Sequence, residues 1–196
     1  FFPYSTSASP INCDGYAPAT VWDGTYTILK SSHLTISSAL AAAETGDIVE
    51  VGEGTYDYSS EGLAAGAQGL INISKGITLR AADGVRPVLD GTGVDGVIKI
   101  HPSAQAPGNE VIIEGFEITG DPATGIAMTM QGCFDLTPAQ IIVRDNWFHG
   151  MIGGINFWGA GAYLPEGWTS AVAGTLITGN KFYNMVAAGG NQGFGI

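Results

Sequence analysis

Charge is scarce in this chain. Only 13% of its 196 residues are Asp, Glu, Lys or Arg, against about 25% in an average globular domain. Seven basic residues stand against 18 acidic ones, a net charge of −11, so a phosphate backbone is repelled and nucleic acid is excluded as a partner. Lys, which decorates helical surfaces, occurs four times, which disfavours a helical bundle. Long apolar runs are missing too: Gly, Asn or Ser interrupts each one well short of the roughly 18 residues that a membrane-spanning helix needs. The histidines His33, His101 and His149 are scattered, with none at i+2 or i+4 from another, which speaks against zinc ligation or a catalytic triad. No Asp-x-Asp or Asp-Asp pair occurs, so the two facing carboxylates of a glycosidase have no support. Cys13 and Cys133 are the only cysteines, 120 residues apart and without a CxxC. That excludes a metal knuckle and a redox dithiol, and leaves open one disulfide formed in an oxidising compartment or two buried thiols.

Glycine and repetition take the place of charge. Gly (30) and Pro (9) make up about a fifth of the chain without a Gly-X-Y period, which favours extended, turn-rich structure. The runs from Val111 to Ile118, Ile141 to Phe148 and Thr175 to Phe182 align position by position: the third reads Ile113, Val143, Ile177 and the eighth Ile118, Phe148, Phe182. A second series runs through Ile71, Ile98, Ile126, Ile155 and Phe194, each followed two residues later by an apolar one, at steps of 27, 28, 29 and 39. Each repeat therefore holds at least two short strands with a period of two, and such strands bury their apolar faces only by stacking on the next turn. The expected fold is all-β, a parallel β-solenoid in which like residues form columns about 4.8 Å apart. Asn146 and Asn180, at the sixth position, are expected at a corner as a stacked asparagine column, tolerating left-handed geometry and satisfying backbone groups.

The one helical signal is Leu34 to Glu44, an Ala-rich run stopping near Gly46, expected as a short amphipathic helix that covers the end of the first coil. Residues 1–30 lie outside the repeat and are expected as an extended arm, with 31–196 forming the β-helix domain. The chain opens at Phe1-Phe2-Pro3-Tyr4 with no Met and no basic leader, which fits an exported, processed chain or one whose beginning is missing. A secreted, extracellular or cell-surface location is expected, and the sequon Asn72-Ile73-Ser74 is compatible with it.

The run Leu34 to Tyr56, ending Gly46-Asp47-Ile48-Val49-Glu50-Val51-Gly52-Glu53-Gly54-Thr55-Tyr56, resembles the opening of right-handed parallel β-helix proteins of the pectate-lyase-like superfamily. Lys75 to Ala81, followed by Arg86-Pro87-Val88-Leu89-Asp90-Gly91, is similar to the second coil of its alginate lyase and chondroitinase B group. The matching residues are core and corner residues, so the resemblance implies a fold more than a function. Lyases of this kind need a basic side chain to take the proton α to a uronate carboxylate and a cation such as calcium to neutralise that carboxylate. No catalytic signature answers to this. The strand phasing turns Arg144 outward beside Glu114 one turn earlier, as a ladder salt bridge. Lys99 and Lys181 also face outward, and Asp145 with Glu117 form a cation site only if the coils bring them together. No cofactor is expected, calcium being compatible with the acidity alone. His149 reads as a turn residue.

Trp147 and Trp158 follow the same phasing outward. They form a sugar-stacking platform, or pack beneath the insertion from 160 to 174, or meet another chain. The last residues, Phe194-Gly195-Ile196, begin another inward strand, and an open coil end is a template for pairing. Together with Phe1, Phe2, Tyr4, Trp22 and Tyr26 of the arm, Phe194 and Ile196 outline an assembly interface. The first functional expectation is a secreted structural subunit stacking head to tail into a filament of itself. The alternative is a lyase-like or glycan-binding β-helix acting on acidic polysaccharide.

Overall fold

The computed structural model describes residues 11–12, 15–16, 18–105, 109–121, 126–131, 140–158 and 175–185. Strands β1 (Ile11–Asn12) and β2 (Gly15–Tyr16) form a small antiparallel pair. Strands β3 (Ala19–Trp22) and β4 (Leu29–His33) precede the helix α1 (Ile36–Ala42). Strand triplets follow: β5 (Ile48–Val51), β6 (Thr55–Tyr56) and β7 (Ile71–Ile73), then β8 (Thr78–Ala81), β9 (Val88–Gly91) and β10 (Gly96–Ile100). The next are β11 (Glu110–Glu114), β12 (Glu117–Gly120) and β13 (Ile126–Gln131), then β14 (Gln140–Arg144), β15 (Trp147–His149) and β16 (Gly153–Trp158). The last described strands are β17 (Thr175–Thr178) and β18 (Lys181–Tyr183).

First, second and third members of successive triplets pair in parallel, which defines a β-solenoid with three faces. The seven-stranded face has the order β17-β14-β11-β8-β5-β3-β4, the five-stranded face β18-β15-β12-β9-β6 and the four-stranded face β16-β13-β10-β7. Inward columns fill the space between them. Val49, Leu79, Ile113 and Val143 superpose on the seven-stranded face and are fully buried. On the five-stranded face Leu89, Ile118 and Phe148 superpose, and the Phe148 ring stacks on Phe182 at 4.8 Å, nearly parallel. One strand spacing is also the distance at which flat rings stack, so the helical climb of the chain sets the ring contact.

On the four-stranded face the register differs from the spacing of the isoleucines. Ile98 lies over Ile71 but under Met128, while Ile126 sits between Gly96 and Gly153. A slip of two residues keeps every side chain on the same face, so alternation alone does not detect it.

The corner between the first two faces is made by Gly115, Asp145 and Gly179, all with positive φ (88°, 58° and 64°). Left-handed geometry thus falls one residue before Asn146 and Asn180, and the asparagines serve the corner through their amides instead.

Helix α1 closes one end of the core. Thr35 is its N-cap, the Thr35 hydroxyl accepting from the Ser38 N–H, and Ile36, Ala39 and Leu40 are buried. Leu34, expected on the helix, lies before the cap and is exposed. Both helix ends are completed from distant loops. The Glu61 carboxylate accepts from the Ile36 and Ser37 N–H groups at 3.0 and 2.8 Å, and the Lys75 ammonium donates to the Leu40, Ala41 and Ala43 carbonyls at 3.3, 2.9 and 2.6 Å. An anion at the N-terminus and a cation at the C-terminus oppose the helix dipole and satisfy groups that lack partners within the helix.

The expected extended arm is corrected over its described part. Strand β3 pairs antiparallel with both β4 and β5, so residues 19–33 extend the seven-stranded sheet of their own molecule, and the boundary expected at residue 30 falls within β4. The physical reason is burial: Ala19 and Val21 join the core, which a free arm leaves in water. Among the described residues no helix is long and apolar enough to cross a membrane.

Candidate functional site

Because the pairing is parallel and in register, outward residues form columns as regular as the inward ones. On the seven-stranded face Glu50, Arg80, Glu114 and Arg144 superpose, with signs alternating. Arg80 lies 3.3 Å from Glu50 and 2.7 Å from Asp83, and Arg144 bonds Glu114 through Nε. That bond favours the charged form of Arg144 and raises its pKa further. Tyr26 ends the column: its hydroxyl donates to Glu50 and its ring lies 4.6 Å from the Arg80 guanidinium carbon. Burial, and then the bond to Glu50, hold its phenol well above the ordinary tyrosine range. Each cation of this column has its anion, which makes it a structural ladder.

The outer surface of the five-stranded face is built differently. Val88, Glu117, Trp147 and Lys181 superpose, and His149 and Tyr183 pair in the adjoining row. Trp147 is 36% exposed, a large value for an indole on a strand. Arg86, from the loop before β9, places its guanidinium carbon 4.3 Å from the Trp147 ring centre, while its Nη1 donates to the Asp145 and Phe116 carbonyls at 2.8 and 3.3 Å. From the next coil the Lys181 ammonium lies 5.1 Å from the Trp147 ring and 4.8 Å from that of Tyr183. His149 stacks on Tyr183 at 4.8 Å and shares a 2.8 Å hydrogen bond with Glu117. Burial raises the Tyr183 pKa, as does the Glu117 carboxylate, while Arg86 opposes them.

The two cations on this strip are unlike the others. Lys30, Arg80 and Arg144 form salt bridges, Lys75 caps the helix and Lys99 donates to Gln68. Arg86 packs on the Trp147 ring and bonds backbone carbonyls, and Lys181 packs on the rings of Trp147 and Tyr183. A guanidinium and an ammonium beside one exposed indole concentrate positive charge locally in a chain of net charge −11, an arrangement chemically able to meet an anion.

Asn146 and Asn180 lie at the edge of this strip, in the corner before β15 and β18. Asn146 Oδ1 accepts from the Phe116 N–H at 3.0 Å, and its Nδ2 donates to the Ile113 carbonyl at 3.0 Å and to Asn180 Oδ1 at 3.1 Å. Asn180 Oδ1 also takes the Asn146 N–H, and its Nδ2 donates to the Val143 carbonyl at 2.7 Å. Each amide thus bridges its own coil to the preceding one at the corner that carries Trp147.

Trp158 ends β16 on the four-stranded face, whereas Trp147 begins β15, so the two tryptophans belong to different sheets. Trp22 hydrogen-bonds Thr20 at 2.9 Å and packs against Tyr26 with ring centres 4.7 Å apart. Of the five expected interface aromatics of the arm, Trp22 and Tyr26 are therefore engaged within their own molecule. Phe1, Phe2, Tyr4, Phe194, Ile196, Cys13 and Cys133 lie outside the described residues. His149, expected at a turn, ends a strand and links Glu117 to Tyr183. Glu117 is thereby engaged away from Asp145, and among the described residues no three His, Cys, Asp or Glu gather as a metal group.

Sequence reasoning missed Arg86 and Tyr183. Tyr183 was within reach, being the residue after the eighth position, where His149 stands one coil earlier. Arg86 had no signal, since it comes from a loop and meets Trp147 across sequence. Compared with known proteins, the chain matches no family model, no curated protein and no solved structure.

Proposed function

We propose that this chain is a right-handed parallel β-helix of the pectate-lyase-like kind that binds an acidic polysaccharide on the outer surface of its five-stranded face. Right-handedness follows from the general preference of parallel strand crossovers. The observation that carries the functional reading is Trp147, exposed with the Arg86 and Lys181 cations over its ring. The apolar face of a pyranose stacks on an indole, and uronate carboxylates offer charge-assisted bonds to guanidinium and ammonium. A neutral glycan uses only the first of these contacts. The filament reading through Trp22 and Tyr26 has less support, because both side chains are held by their own sheet.

Titration calorimetry with oligogalacturonate and oligoalginate, against neutral cello- and manno-oligosaccharides, tests the proposal. Acidic oligomers are expected to bind and neutral ones to bind at least about tenfold more weakly, a difference of about 1.4 kcal/mol. Trp147→Ala is expected to abolish the binding while leaving the unfolding midpoint nearly unchanged. Equal affinity for neutral oligomers, or full binding by Trp147→Ala, overturns it.

A further inference from the structure

The Trp147 strip carries an imidazole and a carboxylate beside its two cations. In the outward column Glu117 stands on the coil before Trp147 and Lys181 on the coil after it. An anion in the place of Glu117 opposes an anionic ligand, yet this carboxylate is turned to His149, whose Nε2 shares a 2.8 Å hydrogen bond with it. His149 lies two residues beyond Trp147 on β15, so both side chains leave the same face of the sheet. The His149 and Glu117 side chains keep 22% and 28% of their surface in solvent, which leaves the pair open to a bound chain and to a proton.

Hydrogen bonding fixes where that proton goes. An ionised carboxylate only accepts, so a neutral His149 holds its proton on Nε2, and a second proton enters at Nδ1. The groups around the ring act in both directions. Glu117 from β12 and the Tyr183 ring from β18, stacked at 4.8 Å, favour the imidazolium. Asp145 at the corner before β15, and Asp90 two coils back on β9 where it pairs with Thr119, add negative charge. Lys181, with its ammonium 4.8 Å from the same Tyr183 ring, and Arg86 over Trp147 oppose protonation. A uronate carboxylate arriving on the strip neutralises these two cations and so tips the balance toward the charged ring.

We infer that an acidic polysaccharide bound on this strip takes up a proton at His149 and is held more tightly as the pH falls, a coupling that rests on the glycan reading and adds its regulation. The sign follows from linkage: a bound anion that favours the charged imidazole is itself favoured by the charged imidazole, by the same factor. Protonation also turns two cations beside one carboxylate into three, and histidine is the side chain that changes charge between about pH 5 and 8, where uronate carboxylates stay ionised. The gain is complete at the acid end of that span and lost at the alkaline end.

Titration calorimetry of oligogalacturonate on the full chain, in buffers of different ionisation enthalpy, reads the proton directly, because the apparent enthalpy varies with the buffer in proportion to the protons taken up. From about pH 8 to about pH 5.5 the wild type is expected to bind about three- to tenfold more tightly, with net proton uptake between these limits. His149→Gln keeps an amide donor for Glu117 but does not titrate. It is expected to bind without proton uptake and with an affinity independent of pH, its circular dichroism spectrum unchanged. In the wild type, independently of the variant, the His149 Cε1–H resonance is expected to move toward its protonated position when the oligomer is added at constant pH. Binding without proton uptake, proton uptake that persists in His149→Gln, or a resonance that does not move overturns the inference and leaves the glycan reading standing. Absence of binding at every pH overturns both.

Discussion

Two outer surfaces of this solenoid share backbone geometry, register and residue spacing, and they differ in what their charges face. On the seven-stranded face Glu50, Arg80, Glu114 and Arg144 alternate in sign, so each coil neutralises the next. On the five-stranded face Glu117 turns to His149, which leaves Arg86 and Lys181 against the rings of Trp147 and Tyr183. A parallel solenoid repeats whatever it displays, so a column of one charge costs repulsion at every step. Alternation of sign is one way to avoid that cost and interleaved aromatic rings are another. The first leaves nothing for a ligand. The second leaves cations packed on aromatic rings, and the proposed ligand therefore belongs to the five-stranded face.

The two surfaces meet at the Asn146 corner, and the largest effect is expected there. Asn146→Ala leaves the buried Phe116 N–H and Ile113 carbonyl without their partners and deprives Asn180 of a donor. At about 1–3 kcal/mol for each unmet buried group, the expected loss of stability is about 2–4 kcal/mol in urea unfolding. Polysaccharide binding should weaken with it, because Trp147 is the next residue. A loss below about 1 kcal/mol shows that the corner relaxes without the amide, and that the two faces are not coupled through it.

The next effect separates the surfaces. Arg86→Gln and Lys181→Gln are each expected to weaken binding of an acidic oligosaccharide about tenfold, and to flatten its dependence on salt. Glu114→Gln, on the other face, is expected to leave binding unchanged. Its stability cost should stay below about 1 kcal/mol, since the pair it breaks is partly exposed. Calorimetry at two salt concentrations, paired with urea unfolding, checks both. Equal effects of Glu114→Gln and Arg86→Gln on binding remove the distinction between the faces.

Much of this contrast was legible in sequence, and the exceptions have physical causes. The eight-position alignment of 111–118, 141–148 and 175–182 matches the observed register residue for residue, because Ile113, Val143, Ile177 and Ile118, Phe148, Phe182 are all large, inward and equally spaced. It also brought Glu114 and Arg144 together and turned Trp147 outward. On the four-stranded face the alignment slipped by two, since Ile126 and Met128 are both apolar and period-two reasoning gives them the same face. The positive φ expected of the asparagines belongs to the residue before each, because their amides are taken up by the neighbouring coil. Glu61, Lys75 and Arg86 were invisible for a different reason. Each acts from a loop on an element at least 24 residues away, and no local spacing encodes that. The pairing of β3 and β4 with their own sheet was not legible, because a β-rich segment outside the repeat reads the same whether it pairs with its own sheet or with another's.

The smallest expected effect appears only at alkaline pH, and it tests whether the charged ladder is sealed at its end. Tyr26 donates its phenolic proton to Glu50, and burial with that bond raises its pKa. The folded chain therefore keeps a proton that the unfolded chain releases near pH 10. By linkage, the stability this provides is fully present below about pH 10 and is lost as the pH rises above it. Tyr26→Phe removes the bond, at about 1 kcal/mol for a half-buried donor to a carboxylate. The difference between wild type and variant should be constant from neutral pH to about 10 and shrink above it. Unfolding midpoints measured at closely spaced pH values on both proteins check this. A difference that stays flat through the alkaline range means that Glu50 is satisfied by Arg80 alone, and that the ladder ends in solvent and not in a tyrosine.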